Sequence, residues 1–354
     1  ERAVFDPVLF ASGSYESYRN RSLDNVSARF FSIDGSRTQL RGGASQRFTT
    51  GTEVTLDLNV SSREDDNSEF SDEARAGLNL TQALLRDFGV TVNLVGIRQA
   101  ETETLASTYN LRGFTEALVA AVENGYWDYA LARRQIEIVE ESLKVARQQL
   151  NETKELITVG RLARAELAAV QAEVAAQEQA LIEARANKES IRLQLLRLLN
   201  PAGSGIWQRE VDLIYQSTLP EIKLEDVELH VAVSMRMRPI LNEARLKILR
   251  DDLELVKTQN GLLPLMDLFI TLGKSGYADS FGESVSNIKK DSYDALAGIQ
   301  FNYPVFNRDA KALHRRALLT REQAQKALEN LSQLVEVDVR TAYIEVNRTK
   351  QQIA

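Results

Sequence analysis

The 354-residue chain carries 43 Lys and Arg against 50 Asp and Glu, with two His and no Cys. Its net charge of −7 offers no basic face for nucleic acid. Without Cys there is no disulfide frame, thiol nucleophile or thiolate metal site.

No stretch approaches about 18 uninterrupted apolar residues, so no transmembrane helix is expected. No charged segment leads into an apolar one, so the chain reads as mature, trimmed or cytosolic. The six prolines (Pro7, Pro201, Pro220, Pro239, Pro264 and Pro304) fall where the residue pattern changes. None lies between 8 and 200, as long helices and central strands require.

From Val8 to about Leu84 the chain reads as strands and polar loops. Thr52, Val54, Leu56, Leu58 and Val60 alternate with Glu53, Thr55, Asp57 and Asn59, a period of two. Ala76, Leu78 and Leu80 alternate with Gly77, Asn79 and Thr81. The acidic stretch Ser61–Glu73 reads as a solvated loop, and Asn20–Gly43 as another long loop that leaves room for a strand at its end.

The period then becomes helical. Tyr129, Ala132, Ile136, Val139, Leu143, Ala146, Leu150, Thr153 and Ile157 keep a 3–4 spacing. A second series runs Leu167, Val170, Val174, Gln177, Leu181, Ala184, Lys188, Ile191, Leu195 and Leu198. Both predict coiled-coil seams, with a reversal at Thr158-Val159-Gly160-Arg161. At about 1.5 Å per residue these helices are far longer than those of compact domains. Ten of the 24 residues from Ala163 to Ala186 are Ala, which suggests packing on a second face beside the seam.

Asn200-Pro201 ends the second helix, and a helix from about Pro239 to Gly261 follows a mixed region. Met266, Leu268, Ile270 and Leu272 predict one strand. Ala295, Ala297, Ile299, Phe301 and Tyr303, alternating with Leu296, Gly298, Gln300 and Asn302, predict another. Gly273–Ser292 reads as the loop between them. After Pro304 a last long helix carries Leu313, Ala317, Ala324, Leu328, Leu331, Val335, Val339, Ala342 and Val346 on its apolar stripe. Two halves thus repeat the order helix, proline, strands, long helix, with Phe5–Phe10 matching Leu262–Asp267 by role.

Six segments in this order resemble the outer membrane efflux protein family, the TolC-like exit ducts. They are Phe5-Asp6-Pro7-Val8-Leu9, Leu80–Arg86, Val159-Gly160-Arg161-Leu162, Arg238-Pro239, Leu263-Pro264 and Tyr303–Arg308. The resemblance covers nearly the whole chain. It implies an α+β fold with long antiparallel coiled-coil hairpins as a periplasmic tunnel and transmembrane β-strands contributing to a trimeric outer-membrane barrel.

On that frame, 1–7 ends a first helix and 8–84 is the first strand region. Residues 85–200 form the helical hairpin with its tip near 159–162, and 201–235 form a mixed equatorial region. Then come a helix (236–262), a second β-hairpin (263–304) and a last periplasmic helix (305–354). Residues 38–60 exceed what one hairpin needs and are either an extra pair of strands or an extracellular embellishment, the second being the expectation.

The resemblance further implies a passive channel of a tripartite efflux pump or type I secretion system, with no enzymatic activity, cofactor or metal. Its implied partners are two further copies, outer-membrane lipid, a periplasmic adaptor and, through it, an inner-membrane transporter. The adaptor would meet Val159, Gly160, Arg161, Leu162 and Leu167. The family often has Val-Gly-Leu here, and Arg161 intervenes in this chain. Ala165 and Glu166 would form the periplasmic gate, and Gln300 and Asn302 would face the lumen. His230 and His314 stand alone and suggest no metal site. The competing reading is a soluble coiled-coil scaffold, against which the alternating strands argue.

Overall fold

The computed structural model describes residues 1–23, 30–65, 72–214, 224–289 and 292–353. Pro220 and the acids Asp66 and Glu69 lie outside them. The chain divides into two compact units, one of 1–108 with 233–354 and the other of 109–232.

The first unit holds a six-stranded antiparallel sheet in sequence order. Its strands are β1 (Val8–Leu23), β2 (Phe30–Arg47), β3 (Thr52–Asp65), β4 (Asp72–Ala83), β5 (Leu265–Ala278) and β6 (Tyr293–Asn302). Pro7 and Pro264 immediately precede β1 and β5. There a residue with no N–H to donate costs the ladder nothing.

Three expectations are corrected. Asn20–Gly43 is not mainly loop with strand at one end, because both its described ends belong to strands, β1 and β2. Residues 38–60 are not an embellishment outside the sheet, since β2 pairs with β3 from Gly35↔Asp65 to Arg47↔Glu53. The first strand region therefore supplies four strands and the second supplies two. Gly273–Ser292 is not one loop either: β5 runs on to Ala278, and a short helix, α6 (Phe281–Asn287), precedes β6.

The helices outside the sheet are α1 (Val90–Asn93), α2 (Val95–Thr158), α3 (Glu166–Leu199), α4 (Val227–Met237), α5 (Pro239–Asn260) and α7 (Arg308–Ile353). In the first unit α5 packs on α7. Leu241 of α5 and Ala317, Ala324 and Val335 of α7 are buried there. Arg321 reaches Asp252 at 2.8 Å, and Thr258 Oγ1 shares a 3.1 Å hydrogen bond with His314 Nδ1. The α7 stripe drifts at both ends: Leu313, Ala342 and Val346 are exposed, while Tyr343 and Asn347 are half-buried. A straight helix of about 3.6 residues per turn rotates away from a fixed heptad line over 46 residues.

Both junctions from strand to helix use the same device. Asp87 and Asn307 adopt left-handed backbone, at φ 63° and 42°, and both are tied to the segment that ends α5. Asp87 N donates to Asn260 Oδ1 at 2.8 Å, and Asn307 Nδ2 donates to Leu262 O at 3.1 Å. Asn and Asp tolerate this conformation better than other side chains.

In the second unit α2 and α3 pack along the expected seams. Every residue of both series is buried or half-buried, with Tyr129, Ala132, Leu143, Ala146, Thr153 and Leu195 fully so. Two ion pairs of 2.8 Å, Arg147–Glu178 and Arg185–Glu140, flank the seam. Of the ten alanines between 163 and 186, only Ala180 and Ala184 are even half-covered. Asn200, at φ 40°, caps α3 before Pro201.

Candidate functional site

Period-two alternation in six paired strands gives the sheet two unlike faces. One carries Leu9, Leu40, Leu56, Leu58, Val60, Leu78, Leu80, Leu272, Ile299 and Phe301, aligned by the register. Leu9, Leu56, Ile299 and Phe301 are more than half exposed. In water such an apolar surface would be costly, at roughly 25 cal/mol per Å². Exposed aromatic side chains flank it: Tyr15 and Tyr293 toward one end, and Phe48, Phe88, Tyr303 and Phe306 around the strand ends nearest the helices.

The opposite face is polar and internally bonded. Asp57 is buried, accepts a hydrogen bond from Asn79 Nδ2 at 3.0 Å and lies 3.5 Å from Arg41 Nε. Gln39 donates to Asn59 at 2.9 Å, and Arg63 donates to the Tyr18 hydroxyl at 3.0 Å. Arg75 of β4 reaches across β5 to Asp294 of β6 in a two-point pair, 2.6 Å at its shorter contact. The strand between them offers Gly273 at the crossing point. A Cβ there would collide with both side chains. Gln300 and Asn302 share this polar face by register and are exposed. The residues that organise it, Arg41, Asp57, Arg75, Gly273 and Asp294, escaped the sequence reading. Arg75 and Asp294 meet across 219 residues and Arg41 meets Asp57 on the neighbouring strand, and no local motif announces either contact.

The helical turn is a Schellman cap. Gly160 sits at φ +77°; its N–H donates to Ile157 O at 3.0 Å, and Arg161 N–H donates to Leu156 O at 2.8 Å. The cap satisfies the last carbonyls of α2 and turns the chain outward, leaving Val159 and Leu162 exposed at 67% and 37%. Leu167 is half-buried at the start of the α3 seam. Ala165 and Glu166 are exposed where α3 begins, and an acid in a first helical turn suits the helix dipole. Among the described residues Glu166 has no ion-pair partner, and no cluster of His, Asp and Glu fits a metal ion.

Beyond α3, Arg192 holds Trp207 O at 2.9 Å and Arg209 O at 2.6 Å while pairing with Glu189 at 2.8 Å. The hydrogen bond from Arg192, aided by Lys188, holds the Glu189 carboxyl below its ordinary pKa.

A sheet that is apolar on one face and bonded and polar on the other, joined in sequence to a long helical hairpin, is the arrangement that the wall of a membrane barrel requires. Residues 44–201 match the family model described as outer membrane efflux protein. The chain shares its fold with the outer-membrane channel OprN at 15% identity and TM-score 0.69, covering 99% of this chain and 68% of that one. CusC is similar at 16% identity and TM-score 0.65, with 99% and 69% covered. The CmeC outer membrane channel of Campylobacter jejuni is similar at 15% and 0.64, with 99% and 67% covered. No curated protein matches the sequence. Residues 44–201, a little under half of the chain, thus resemble the outer membrane efflux protein family, and nearly the whole chain shares the fold of these outer-membrane channels. Channels of this family form trimers within tripartite pumps.

Proposed function

We propose that three copies of this chain form the passive exit duct of a tripartite efflux pump or a type I secretion system. The observation that carries this reading is the two-faced sheet: an apolar face, bare except where α6 covers Val60 and Ala74, suited to lipid and backed by a hydrated, ion-paired face suited to a lumen. A soluble scaffold would gain nothing from that apolar exposure. Gln300 and Asn302 then line the lumen wall. A periplasmic adaptor meets the tip through Val159, Gly160, Arg161, Leu162 and Leu167, and an inner-membrane transporter supplies the energy through that adaptor.

The bare alanines of α3 support the trimer, because helices in a cylinder touch neighbours on two sides. Export in cells tests the tip. Gly160→Pro removes a bonded N–H and imposes a φ of the wrong sign, and Leu162→Asp puts charge on an exposed apolar contact. Each should abolish export while heat-resistant trimer is still recovered, and normal export in both variants would reduce the tip to a plain turn.

Ala165 and Glu166 lie where three copies of α3 would converge at the periplasmic end. A threefold set of weak carboxylate pairs, each worth about 0–1 kcal/mol, closes the entrance yet yields when an adaptor pulls the helices apart. Glu166→Ala should therefore raise single-channel conductance in a planar bilayer with no loss of trimer. Unchanged conductance would return Glu166 to a solvated helix start.

A further inference from the structure

The sheet has six strands and two open edges. Among the described residues β1 pairs only with β2, and β6 only with β5. In a membrane the unpaired N–H and C=O groups of such edges find no water, so each edge needs a strand beside it. We infer that β6 of one copy pairs with β1 of the next, and that three copies close an 18-stranded barrel. This rests on the trimeric duct proposed above and adds its strand number, closing seam and bore.

The stagger of the sheet supports closure. One row of directly paired residues crosses all six strands: Phe10, Gly43, Asp57, Gly77, Gly273 and Asp294. Measured from the strand ends nearest the helices, these residues stand two, four, five, six, eight and eight positions in. The row therefore climbs steadily, by about 1.2 residues per strand. At about 3.3 Å per residue and about 4.8 Å between strands, this is a tilt near 40°, within the range of closed transmembrane barrels.

The faces continue across the proposed seam. Apolar Leu9 and Phe301 both stand one residue from the helix-side end of their strands; after Phe10, the opposite face of β1 carries Ser12, Ser14, Glu16 and Tyr18, as that of β6 carries Gln300 and Asn302. A one-residue slip would put apolar side chains in the lumen, so only even shifts from the flush register are allowed.

The extra hairpin sets the bore. A chain with one hairpin per repeat would give four strands, hence twelve in a trimer. At the same tilt, twelve strands enclose a cylinder about 24 Å across between backbones, and eighteen enclose one of about 36 Å. The Arg41–Asp57 and Arg75–Asp294 pairs repeat three times around that wall, so the lumen is wide, charged at every side and balanced in sign.

The Cys-free chain makes the seam directly testable. In the protein as its gene encodes it, Leu9→Cys with Phe301→Cys, or Ala11→Cys with Phe301→Cys, should oxidise in outer membranes to covalent dimers and trimers. Val54→Cys with Phe301→Cys should not, because β3 is interior to the sheet. Electron cryomicroscopy of the purified trimer should count eighteen strands. A β6–β3 cross-link, or a trimer with twelve strands, would overturn the barrel inferred here and leave the duct standing. A particle that is not a trimer would overturn both.

Discussion

The sheet and the α2–α3 hairpin each leave apolar side chains uncovered, and the manner differs. On the sheet the bare residues are large, Leu, Ile and Phe, spread over one face outside the patch that α6 covers, and rimmed by Tyr and Phe. On α3 they are almost all Ala, in a stripe beside a seam that is already filled. Large side chains gain from burial in fluid hydrocarbon, whatever its shape. Alanine gains little from lipid, but it lets another backbone approach closely. The first surface calls for a solvent and the second for a neighbouring helix.

That contrast is sharpest for a charge on the sheet. Ile299→Lys should cost about 2–4 kcal/mol if it sits near the bilayer midplane, whereas Gln300→Lys on the adjacent position should cost far less. The yield of heat-resistant trimer on a gel reads the difference. Equal losses would erase the assignment of faces.

The helical hairpin depends on backbone geometry rather than on a medium. Gly160→Ala should cost about 1–2 kcal/mol, because φ +77° strains an L-residue although open space surrounds the site. Thermal loss of the helical circular dichroism signal should come earlier in this variant. Gly89→Ala, also at positive φ with open space, provides the matching control in the first unit. An unchanged melt for Gly160→Ala would mean that the Schellman cap contributes nothing.

How far the chain can be read in advance follows from these differences. The seams of α2 and α3 were legible residue by residue, because a heptad needs only apolar contrast at a fixed spacing. β1 and β2 were not, because contrast fails in their outer parts. Ser17 pairs with Ser36 and Arg19 with Asp34, so polar residues occupy both faces there. Those strands are held by a 2.6 Å Arg19–Asp34 ion pair and by register, neither of which leaves a period in the sequence. α6 is seven residues long, too short to show any period. The tip was legible through Gly160. Gln300 and Asn302 were placed on the polar face, but the bonded residues that shape it pair across strands, Arg75 with Asp294 from the other half.

The smallest expected effect tests the end of the hairpin unit. Glu189→Gln removes one half-exposed partner of Arg192 and should cost about 0–1 kcal/mol. The same contribution depends on pH. A carboxyl held below its ordinary pKa stabilises fully above the unfolded value near 4.5, and the benefit disappears as pH falls through the lower folded value. Melting curves of wild type and Glu189→Gln should therefore differ at pH 7 and converge in acid. A gap that persists under acid conditions would point to packing rather than charge.

The Arg75–Asp294 bridge joins residues 219 positions apart, and that separation bears on the order in which the molecule forms. β1–β2 and β3–β4 are hairpins whose strands can meet soon after synthesis, whereas β4–β5 pairing closes a loop that contains all of α1 to α5. Closing so long a loop at random is entropically unfavourable and slow. Helices form locally and fast, and the end of α5, gripping Asp87 through Asn260, brings β5 to its place beside β4. The helices therefore shorten the search before the sheet can be completed. The sheet is the last part to be finished, after the helices have set its alignment.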